Sequence, residues 1–346
     1  MSASKRNLNK KIFFNFFEAG YLMKKYSIIL PVFNGGNLVK LCVQSILKQT
    51  YKDFDLIVLD NCSTDGTFEW IGNIPDKRIT TIPSYKHLTI EENWARILDV
   101  KKNQYSTLIG HDDILNPNFL GIVDDLINKN NPECLFFTHF SYINYQGINI
   151  RNCKSMPDKL TSNQFIESFL NNKIDVMGTG FVFLSEKYEK AGGIPMYPNL
   201  LFADFELWIN LIDKNLLIIS PENCFKFRLH NSTTTTSSVF KFYEAYQRFI
   251  LFIYKLYQQN NHHQVIKKNI LHFLRFYTKG ISHKILKTKR NSRNDLKVNT
   301  VYIGYKENLK KFGNKEDNKF KRKIQLARII DNNILLSKLF IFYKKL

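Results

Sequence analysis

The 346-residue sequence has little cysteine, and its five cysteines are widely scattered. No two of them have the Cys-x-x-Cys spacing of a redox or zinc motif. An odd, dispersed set argues against a disulfide framework and against a thiolate zinc site, and it is typical of a protein in a reducing compartment. The cysteine pattern therefore predicts a cytoplasmic location.

Long apolar runs are also missing. A membrane-spanning helix needs roughly 20 consecutive apolar residues, whereas the longest runs here, FILFIY and KLFIFY, are short and flanked by basic residues. Residues 1–22 begin with basic residues but lack the apolar segment and cleavage site of a signal peptide. We therefore predict that residues 1–22 are an extension outside the fold, and that a chain starting at Met23 still folds.

Two common nucleotide-binding signatures are absent as well. The chain contains neither the G-x-x-x-x-G-K-[ST] loop of P-loop NTPases nor the G-x-G-x-x-G fingerprint of dinucleotide-binding folds, so the sequence supports neither class. What is present is 44% hydrophobic and 14% aromatic residues. That composition indicates a folded protein rather than a disordered one.

Charge is distributed unevenly along the chain. Residues 1–239 carry 25 lysines and arginines against 24 acidic residues, whereas residues 240–346 carry 25 against six. In the basic segment, aromatic and aliphatic residues recur at helical spacing. Three interpretations stay open: a helical subdomain packed on the rest with its lysines in solvent, a face on an anionic membrane, and, ranked last, a nucleic-acid-binding segment.

Short apolar segments alternate with amphipathic helical segments before this basic region. Strands are predicted within residues 26–36, at 56–59, at 79–82, at 107–109, at 134–144 and from Cys224. Helices are predicted at 37–51, from Thr67, at 90–102, at 162–172 and at 201–215. Near-continuous apolar strands that alternate with helices predict an α/β fold with a mostly parallel central sheet and flanking helices.

Polar loops follow three of the predicted strands, at Pro31–Asn34, Asp60–Asp65 and His111–Asp113. In parallel sheets the chemistry collects just past the carboxyl ends of the strands, so we expect these loops to meet at one edge. Adjacent carboxylates such as Asp112 and Asp113 repel each other unless solvent or a positive charge relieves the repulsion. The residues alone leave open a divalent-cation site and a solvated loop that caps the next helix.

Taken together, YSIILPVFNGG, LIVLDNCSTDGT and TLIGHDDIL resemble inverting glycosyltransferase family 2, which has the Rossmann-like GT-A fold. The resemblance covers roughly residues 25–235. It implies a GT-A domain at 23–238, followed by a basic helical region at 239–346. It also implies the two parts of a donor site. Its nucleotide-pocket residues would be Pro31, Asn34, Asp60 and Asn61, and its ligands for Mg²⁺ or Mn²⁺ and the diphosphate would be Asp112 and Asp113.

Two later segments extend the resemblance. FADFELWINL resembles the family segment that carries the catalytic base, which implies that role for Asp204. FRLHNSTTTTS resembles a further family segment, which implies a metal or phosphate contact for His230 and a phosphate contact for Arg228. The sequence departs from the family at Gly110, where the metal motif often has its first aspartate. It departs again before the base, where alanine replaces the usual glutamate, and this keeps Glu206 as a rival base.

The resemblance implies transfer of a sugar from a nucleotide-diphosphate donor, with UDP as the expected nucleotide. The acceptor would be a hydroxyl of a surface glycan or lipid-linked saccharide, such as lipopolysaccharide or capsule. The enzyme would be cytoplasmic, or peripheral on the inner face of the cytoplasmic membrane through residues 240–346. Two alternatives remain: a nucleotidyltransferase on a related α/β fold, and a non-catalytic protein that binds glycans or nucleic acid.

Overall fold

The structure is a computed structural model that describes residues 24–230, 236–316 and 318–343. The prediction that residues 1–22 form an extension falls outside the described residues. So does most of the hydroxyl-rich stretch that follows His230.

In these ranges ten strands form one mixed sheet. They are β1 (Tyr26–Val32), β2 (Phe54–Asp60), β3 (Ile79–Pro83), β4 (Tyr105–Leu108), β5 (Ile114–Leu115), β6 (Leu135–Ile143), β7 (Asn149–Asn152), β8 (Lys159–Thr161), β9 (Val182–Leu184) and β10 (Leu216–Arg228). Their order is β3-β2-β1-β4-β9-β6-β10-β5, with β7 beside β6 and β8 beside β10. Strands β1 to β4 run parallel, and β9 is antiparallel to β4 and β6. The predicted α/β fold is confirmed.

Helices flank this sheet and then form a separate helical region. The first group is α1 (Gly36–Leu47), α2 (Thr67–Gly72), α3 (Ile90–Ala95), α4 (Phe119–Lys129), α5 (Ser162–Leu170), α6 (Ser185–Lys190) and α7 (Ala203–Ile212). The second group is α8 (Val239–Tyr257), α9 (Asn260–Lys287), α10 (Val298–Lys311), α11 (Asn318–Asn332) and α12 (Ile334–Tyr343). Short 3₁₀ turns lie at Arg96–Leu98, Pro198–Leu200 and Arg290–Ser292.

The structure corrects several predicted boundaries: the helix predicted at 37–51 ends at Leu47, and the one predicted at 90–102 ends at Ala95 and continues only as a 3₁₀ turn. The helix predicted at 201–215 ends at Ile212, because Asp213 takes a positive φ of 46° that a helix cannot continue. The strand predicted from Cys224 begins at Leu216 and passes through Pro221. Proline lacks the N–H that a strand ladder needs, and the register of β10 against β6 shifts between Ser220 and Asn223. The irregular pairing lets one long strand contain a proline.

The helical region packs on the α/β part through aromatic side chains. Phe249 of α8 stacks on Phe202, with ring centroids 4.9 Å apart, and meets Phe169 of α5 edge-on at 5.7 Å. Phe273 of α9 lies 5.8 Å from the same Phe169 ring. The buried residues of both regions belong to one continuous hydrophobic core. For α8 to α10 the packing agrees with the first interpretation of the basic segment, a packed helical subdomain.

A search of the described helices finds none that is both long enough and apolar enough to cross a membrane.

Gly180 shows how tightly the centre of the sheet is packed. Its φ is +92°, and a Cβ there would lie 2.2 Å from the Phe225 ring, which itself stacks on Phe140 at 4.7 Å. We expect Gly180→Ala to lower the free energy of unfolding by about 3 kcal/mol, because overpacking and an unfavourable φ both act. The free energy is measured by urea titration.

The matched control is Gly280→Ala in α9, where a Cβ would meet no heavy atom within 4 Å. We expect this change to stabilise the protein by about 0.5–1 kcal/mol, since alanine loses less backbone entropy on folding than glycine. Equal unfolding midpoints for the two variants would contradict the packing described at Gly180.

Candidate active site

The carboxyl ends of β1, β2 and β4 lie side by side, because β1 pairs with β2 on one side and with β4 on the other. The loops after β1 and β2 are tied together. The Asn34 side-chain oxygen accepts a hydrogen bond from the Thr64 N–H at 2.7 Å, and the Asn34 N–H donates to the Ser63 hydroxyl at 3.0 Å. The Gly36 N–H donates to the Asp65 carboxylate at 2.8 Å. Asn34 therefore lies where the two loops meet.

The loop after β4 joins the same edge of the sheet. The His111 side chain hydrogen-bonds the backbone of Pro31, and burial lowers the pKa of His111. A Cβ on Gly35 would lie 3.1 Å from the His111 ring. Pro31, predicted to line the nucleotide pocket, is buried within β1. The predicted convergence of three loops at one sheet edge is confirmed.

Asp60 ends β2 with only 2% of its surface exposed. One carboxylate oxygen, Oδ2, accepts a hydrogen bond from the Ser63 N–H at 3.1 Å. The other, Oδ1, is buried and has no hydrogen-bond partner among the described residues. Leaving a buried acceptor unpaired costs about 1–3 kcal/mol. A hydroxyl or N–H of a bound nucleotide would satisfy this oxygen.

Asn61 shapes the neighbouring loop. Its side-chain amide donates to the Leu88 carbonyl at 2.9 Å and accepts from the Leu88 N–H at 2.8 Å. Arg96, which the sequence did not single out, donates to the carbonyls of Asp60 at 2.9 Å and Ile82 at 2.6 Å. No local signal in the sequence indicated these long-range carbonyl partners. The nucleotide contact predicted for Asn61 stays a prediction, and the observed bonds hold the loop that follows β3.

Asp112 and Asp113 have different surroundings although they are neighbours. Asp113 is buried, and its two oxygens accept hydrogen bonds from the Thr179 hydroxyl at 2.5 Å and from the Arg228 N–H at 2.9 Å. Burial and the charge of Asp112 raise the pKa of Asp113 well above its usual range. Asp112 is partly exposed and hydrogen-bonds the His230 imidazole. Burial opposes the ionisation of Asp112, but the hydrogen bond from His230 and the charges of His111 and His230 lower its pKa overall. Burial and the neighbouring carboxylate thus disfavour the ionised form of Asp113, whereas the His230 imidazole favours the ionised form of Asp112.

Arg228 ties three segments together from the end of β10. Its Nε donates to the Asp112 carbonyl at 2.8 Å, and its Nη1 donates to the carbonyls of Asn144 at 2.9 Å and Tyr145 at 2.8 Å. The guanidinium is buried, and Nη2 lacks a partner among the residues that the structure describes. A phosphate could use only this last nitrogen, and the predicted phosphate contact of Arg228 stays a prediction.

Asp112 and His230 are the residues that would hold a divalent cation. Between residues 24 and 343, leaving out the undescribed gaps, no three His, Cys, Asp or Glu side chains form a metal-binding group. Sites that process diphosphates often use only one or two protein carboxylates, and phosphate oxygens and waters complete the shell. One carboxylate and one imidazole fit such a site. Asp113 has both oxygens engaged inside the protein, so its predicted metal role stays a prediction.

The glycine at position 110 fits the conformation of this loop. Its N–H donates to the Thr179 hydroxyl oxygen at 3.0 Å. A Cβ at this position would lie only 2.8 Å from the Asp112 carboxylate. A side chain at 110 would therefore displace Asp112, which gives a steric reason for the departure from the family motif.

Asp204 approaches the same region from the first turn of α7. A Cβ on Gly178 would lie 3.5 Å from the Asp204 carboxylate and 3.8 Å from the Trp94 ring. The next residue, Thr179, makes the hydrogen bond to Asp113. Burial raises the pKa of Asp204 to about 7, the range that suits a general base at neutral pH. The candidate base and the acidic pair thus border one site.

Glu206 lies on another side of α7, because side chains two residues apart on a helix do not face each other. Its carboxylate accepts a hydrogen bond from the Tyr197 hydroxyl, and burial raises its pKa. The guanidinium of Arg248 in α8 covers the Tyr197 ring at 4.8 Å. Glu206 therefore faces the helical region. Its role as a rival base stays a prediction.

The segment that leads into α7 has unusual backbone angles. Asn199, Leu200 and Phe202 take positive φ values of 52°, 56° and 68°, and such conformations cost roughly 1–3 kcal/mol each for residues other than glycine. The Asn199 N–H donates to the Glu91 carboxylate at 2.6 Å, and the Phe202 ring stacks on Phe249. Contacts from α3 and α8 thus hold the segment that positions Asp204.

Comparison with known proteins gives a family. Residues 27–190 match the model for glycosyl transferase family 2. The UDP-Glc:alpha-D-GlcNAc-diphosphoundecaprenol beta-1,3-glucosyltransferase WfgD of Escherichia coli is 26% identical over 219 residues, which cover 61% of this chain and 79% of the relative.

Solved structures give the fold. TarS of S. aureus in complex with UDP-GlcNAc matches with a TM-score of 0.62 at 14% identity, over 93% of this chain and 91% of that one. The mannosyltransferase PcManGT from Pyrobaculum calidifontis, in complex with GDP-Man and Mn²⁺, matches with a TM-score of 0.51 at 11% identity, over 94% and 89%. Residues 27–190 are a glycosyl transferase family 2 domain of the GT-A fold, and the chain is a glycosyltransferase.

Proposed function

We propose that this glycosyltransferase moves a sugar from a UDP-linked donor to a hydroxyl of a lipid-linked saccharide, with inversion at the anomeric carbon. The observation that carries the proposal is that Asp204 lies beside Gly178, whose neighbour Thr179 hydrogen-bonds Asp113 in the loop after β4. The printed activity of WfgD is glucosyl transfer to a lipid-linked GlcNAc. The structure of TarS holds UDP-GlcNAc.

The donor nucleotide would lie over the loops after β1 and β2. The unpartnered oxygen of Asp60 accepts a hydrogen bond from the base or ribose. Asn34 and Asp65 keep the two loops together. The Asn61 amide holds the neighbouring loop after β3 in place through its two hydrogen bonds to the Leu88 backbone.

The diphosphate would lie at Asp112 and His230. A divalent cation bound there, Mg²⁺ or Mn²⁺, would neutralise the charge that develops on the leaving diphosphate. Arg228 keeps Asp112 in place through the backbone carbonyl of that residue. The Mn²⁺ in the PcManGT structure supports a cation for this fold.

Asp204 would act as the general base. Its ionised carboxylate takes the proton of the acceptor hydroxyl while the hydroxyl oxygen forms the bond to the anomeric carbon. The bond from that carbon to the diphosphate oxygen breaks in the same step, and a single displacement inverts the centre. Positioned base catalysis of this kind contributes about 10²–10⁴-fold to the rate. Burial raises the pKa of this carboxylate to about 7, so that it is ready to accept a proton near neutral pH.

A lipid-linked acceptor is confined to a bilayer. We therefore propose that the enzyme works as a peripheral protein on the inner face of the cytoplasmic membrane. The basic helical region, residues 240–346, supplies the positive charge that such a surface attracts.

A nucleotide-sugar panel tests the proposal. The full chain is mixed with UDP-, GDP- and ADP-linked sugars in the presence of Mn²⁺, Mg²⁺ or EDTA, and the melting temperature and donor hydrolysis are recorded. We expect UDP-sugars to raise the melting temperature only when the cation is present. A chain whose melting temperature responds to no nucleotide sugar would contradict the proposal, and a response to GDP-sugars alone would contradict the choice of UDP.

A further inference from the structure

The last two helices expose large aliphatic side chains. Leu326 in α11 is 63% exposed, and Leu335 and Leu339 in α12 are 71% and 63% exposed. Ile329 and Ile334 are also exposed. By contrast, the apolar face of α8 is buried against the core through residues such as Phe249. Exposed large apolar residues are single in α8 to α10 (Leu251, Phe276 and Ile303), whereas α11 and α12, although Phe320 and Ile324 are buried, expose several aliphatic side chains close together in sequence.

The same two helices are strongly basic. Residues 318–343 contain six lysines and arginines and a single acidic residue, Asp331. Asp331 is buried, and its carboxylate accepts hydrogen bonds from Arg293 at 2.6 Å and from the Val298 N–H at 2.8 Å. The negative charge of Asp331 therefore neutralises the buried Arg293 and leaves the exposed positive charge of the two helices unbalanced. The exposed basic side chains of the two helices are Lys319, Lys321, Arg322, Lys323 and Lys338.

We propose that the exposed face of α11 and α12 docks the enzyme on an anionic lipid bilayer; this inference rests on the lipid-linked acceptor of the proposed function. Leucines and isoleucines enter the boundary between headgroups and acyl chains, and lysines and arginines pair with anionic headgroups. Single-stranded nucleic acid instead requires exposed aromatic rings for stacking, and the exposed large apolar side chains among residues 318–341 are aliphatic. A second copy would bring two positively charged faces together.

A series of contacts connects α12 with the segment that precedes α7. The Phe340 ring of α12 lies 6.3 Å from His283 in α9. The next residue, Lys284, donates to the Ser237 carbonyl at 2.8 Å, and the Ser237 hydroxyl accepts a hydrogen bond from Asn199 at 2.7 Å. Asn199 begins the segment that enters α7 and Asp204. α12 is thus connected through α9 and Ser237 to the segment that enters α7.

Vesicle co-sedimentation of the full chain tests the proposal. The probes are phosphatidylcholine vesicles and vesicles with added phosphatidylglycerol, at low and high salt. We expect binding to the anionic vesicles and its release by salt. Removing three charges with Lys321→Gln, Arg322→Gln and Lys323→Gln should weaken binding about 100-fold. Leu335→Glu with Leu339→Glu should weaken it at least about tenfold.

The control is Leu251→Glu in α8, a side chain that is 52% exposed but lies outside the docking face; it should bind vesicles as the unchanged protein does. Equal binding to both vesicle types, or undiminished binding by the α11–α12 variants, would overturn the proposal. The proposal would also be overturned if the unchanged protein bound no vesicles and the α11–α12 variants instead lost self-association or nucleic-acid binding. Because the variants should keep their UDP-dependent melting shift, failure of docking is distinguishable from failure of the proposed function.

Discussion

Asp204→Asn should lower kcat by about 10²–10⁴-fold and leave the affinity for the nucleotide-sugar donor nearly unchanged. The asparagine keeps the shape of the side chain beside Gly178 but cannot accept the proton of the acceptor hydroxyl. Single-turnover transfer gives the chemical step, and a melting shift with UDP gives donor binding. A fall in donor affinity with unchanged turnover would assign Asp204 to the donor pocket instead.

Glu206→Gln is the matched control for this change. It weakens a hydrogen bond to Tyr197 and should reduce stability by about 1 kcal/mol without a large change in kcat. If Glu206→Gln abolishes transfer and Asp204→Asn does not, the base is Glu206.

The pKa of Asp204 also predicts the pH dependence of the reaction and of stability. Since burial raises this pKa to about 7, kcat should fall as the pH drops below 7.

The same pKa affects stability. An unfolded aspartate titrates near about 4, so the folded state holds the extra proton between about pH 4 and pH 7. The stability that this protonated group contributes is fully present below that range and is lost as the pH rises through it. At pH 8 the free energy of unfolding of Asp204→Asn, measured by urea titration, should therefore exceed that of the unchanged protein by on the order of 2 kcal/mol.

Asp112→Asn should weaken cation-dependent donor binding by about 100-fold or more. Removing even an outer partner of a metal ligand typically costs about 10–100-fold in affinity or activity, and Asp112 supplies the carboxylate that would touch the cation. The test is a titration of Mn²⁺ with UDP present, followed by the electron paramagnetic resonance signal of free Mn²⁺, which needs no turnover. Unchanged Mn²⁺ binding in this variant would exclude Asp112 as a ligand.

Asp113→Asn separates the two neighbouring aspartates. The Asp113 carboxylate bonds Thr179 and Arg228 inside the protein, so we expect a loss of about 1–3 kcal/mol in stability and a preserved response to Mn²⁺. Loss of Mn²⁺ binding in both variants would instead show that the adjacent carboxylates bind the cation together.

The sheet edge could be predicted because its determinants are local. Apolar strands such as YSIILPV are buried at every position, and polar loops begin where the apolar residues stop. Parallel pairing then brings the three loops to one edge. A strand interrupted by proline was harder to predict: β10 continues past Pro221 because its partner β6 tolerates a shift in register.

The division of labour within the site could not be predicted, since it depends on distant partners. Nothing near Asp113 in the sequence indicates that Thr179 and Arg228 will bury it, and nothing near Asn61 indicates Leu88. The basic region posed a similar problem. Lysines among apolar residues occur in α8 and in α12 alike, and only tertiary packing shows which apolar face is covered.

The stacking of Phe202 on Phe249 has a consequence for anyone who would recombine such enzymes. Phe202 precedes Asp204 by two positions in a constrained backbone, and its ring also lies 5.2 Å from Tyr277 in α9. A chimera that joins residues 24–230 to the helices of a relative would inherit a base whose support comes from the discarded half. Exchanges between relatives should therefore transfer Phe202 together with its aromatic neighbours in α8 and α9. We do not expect residues 24–230 alone to keep the base in position when they are joined to foreign helices.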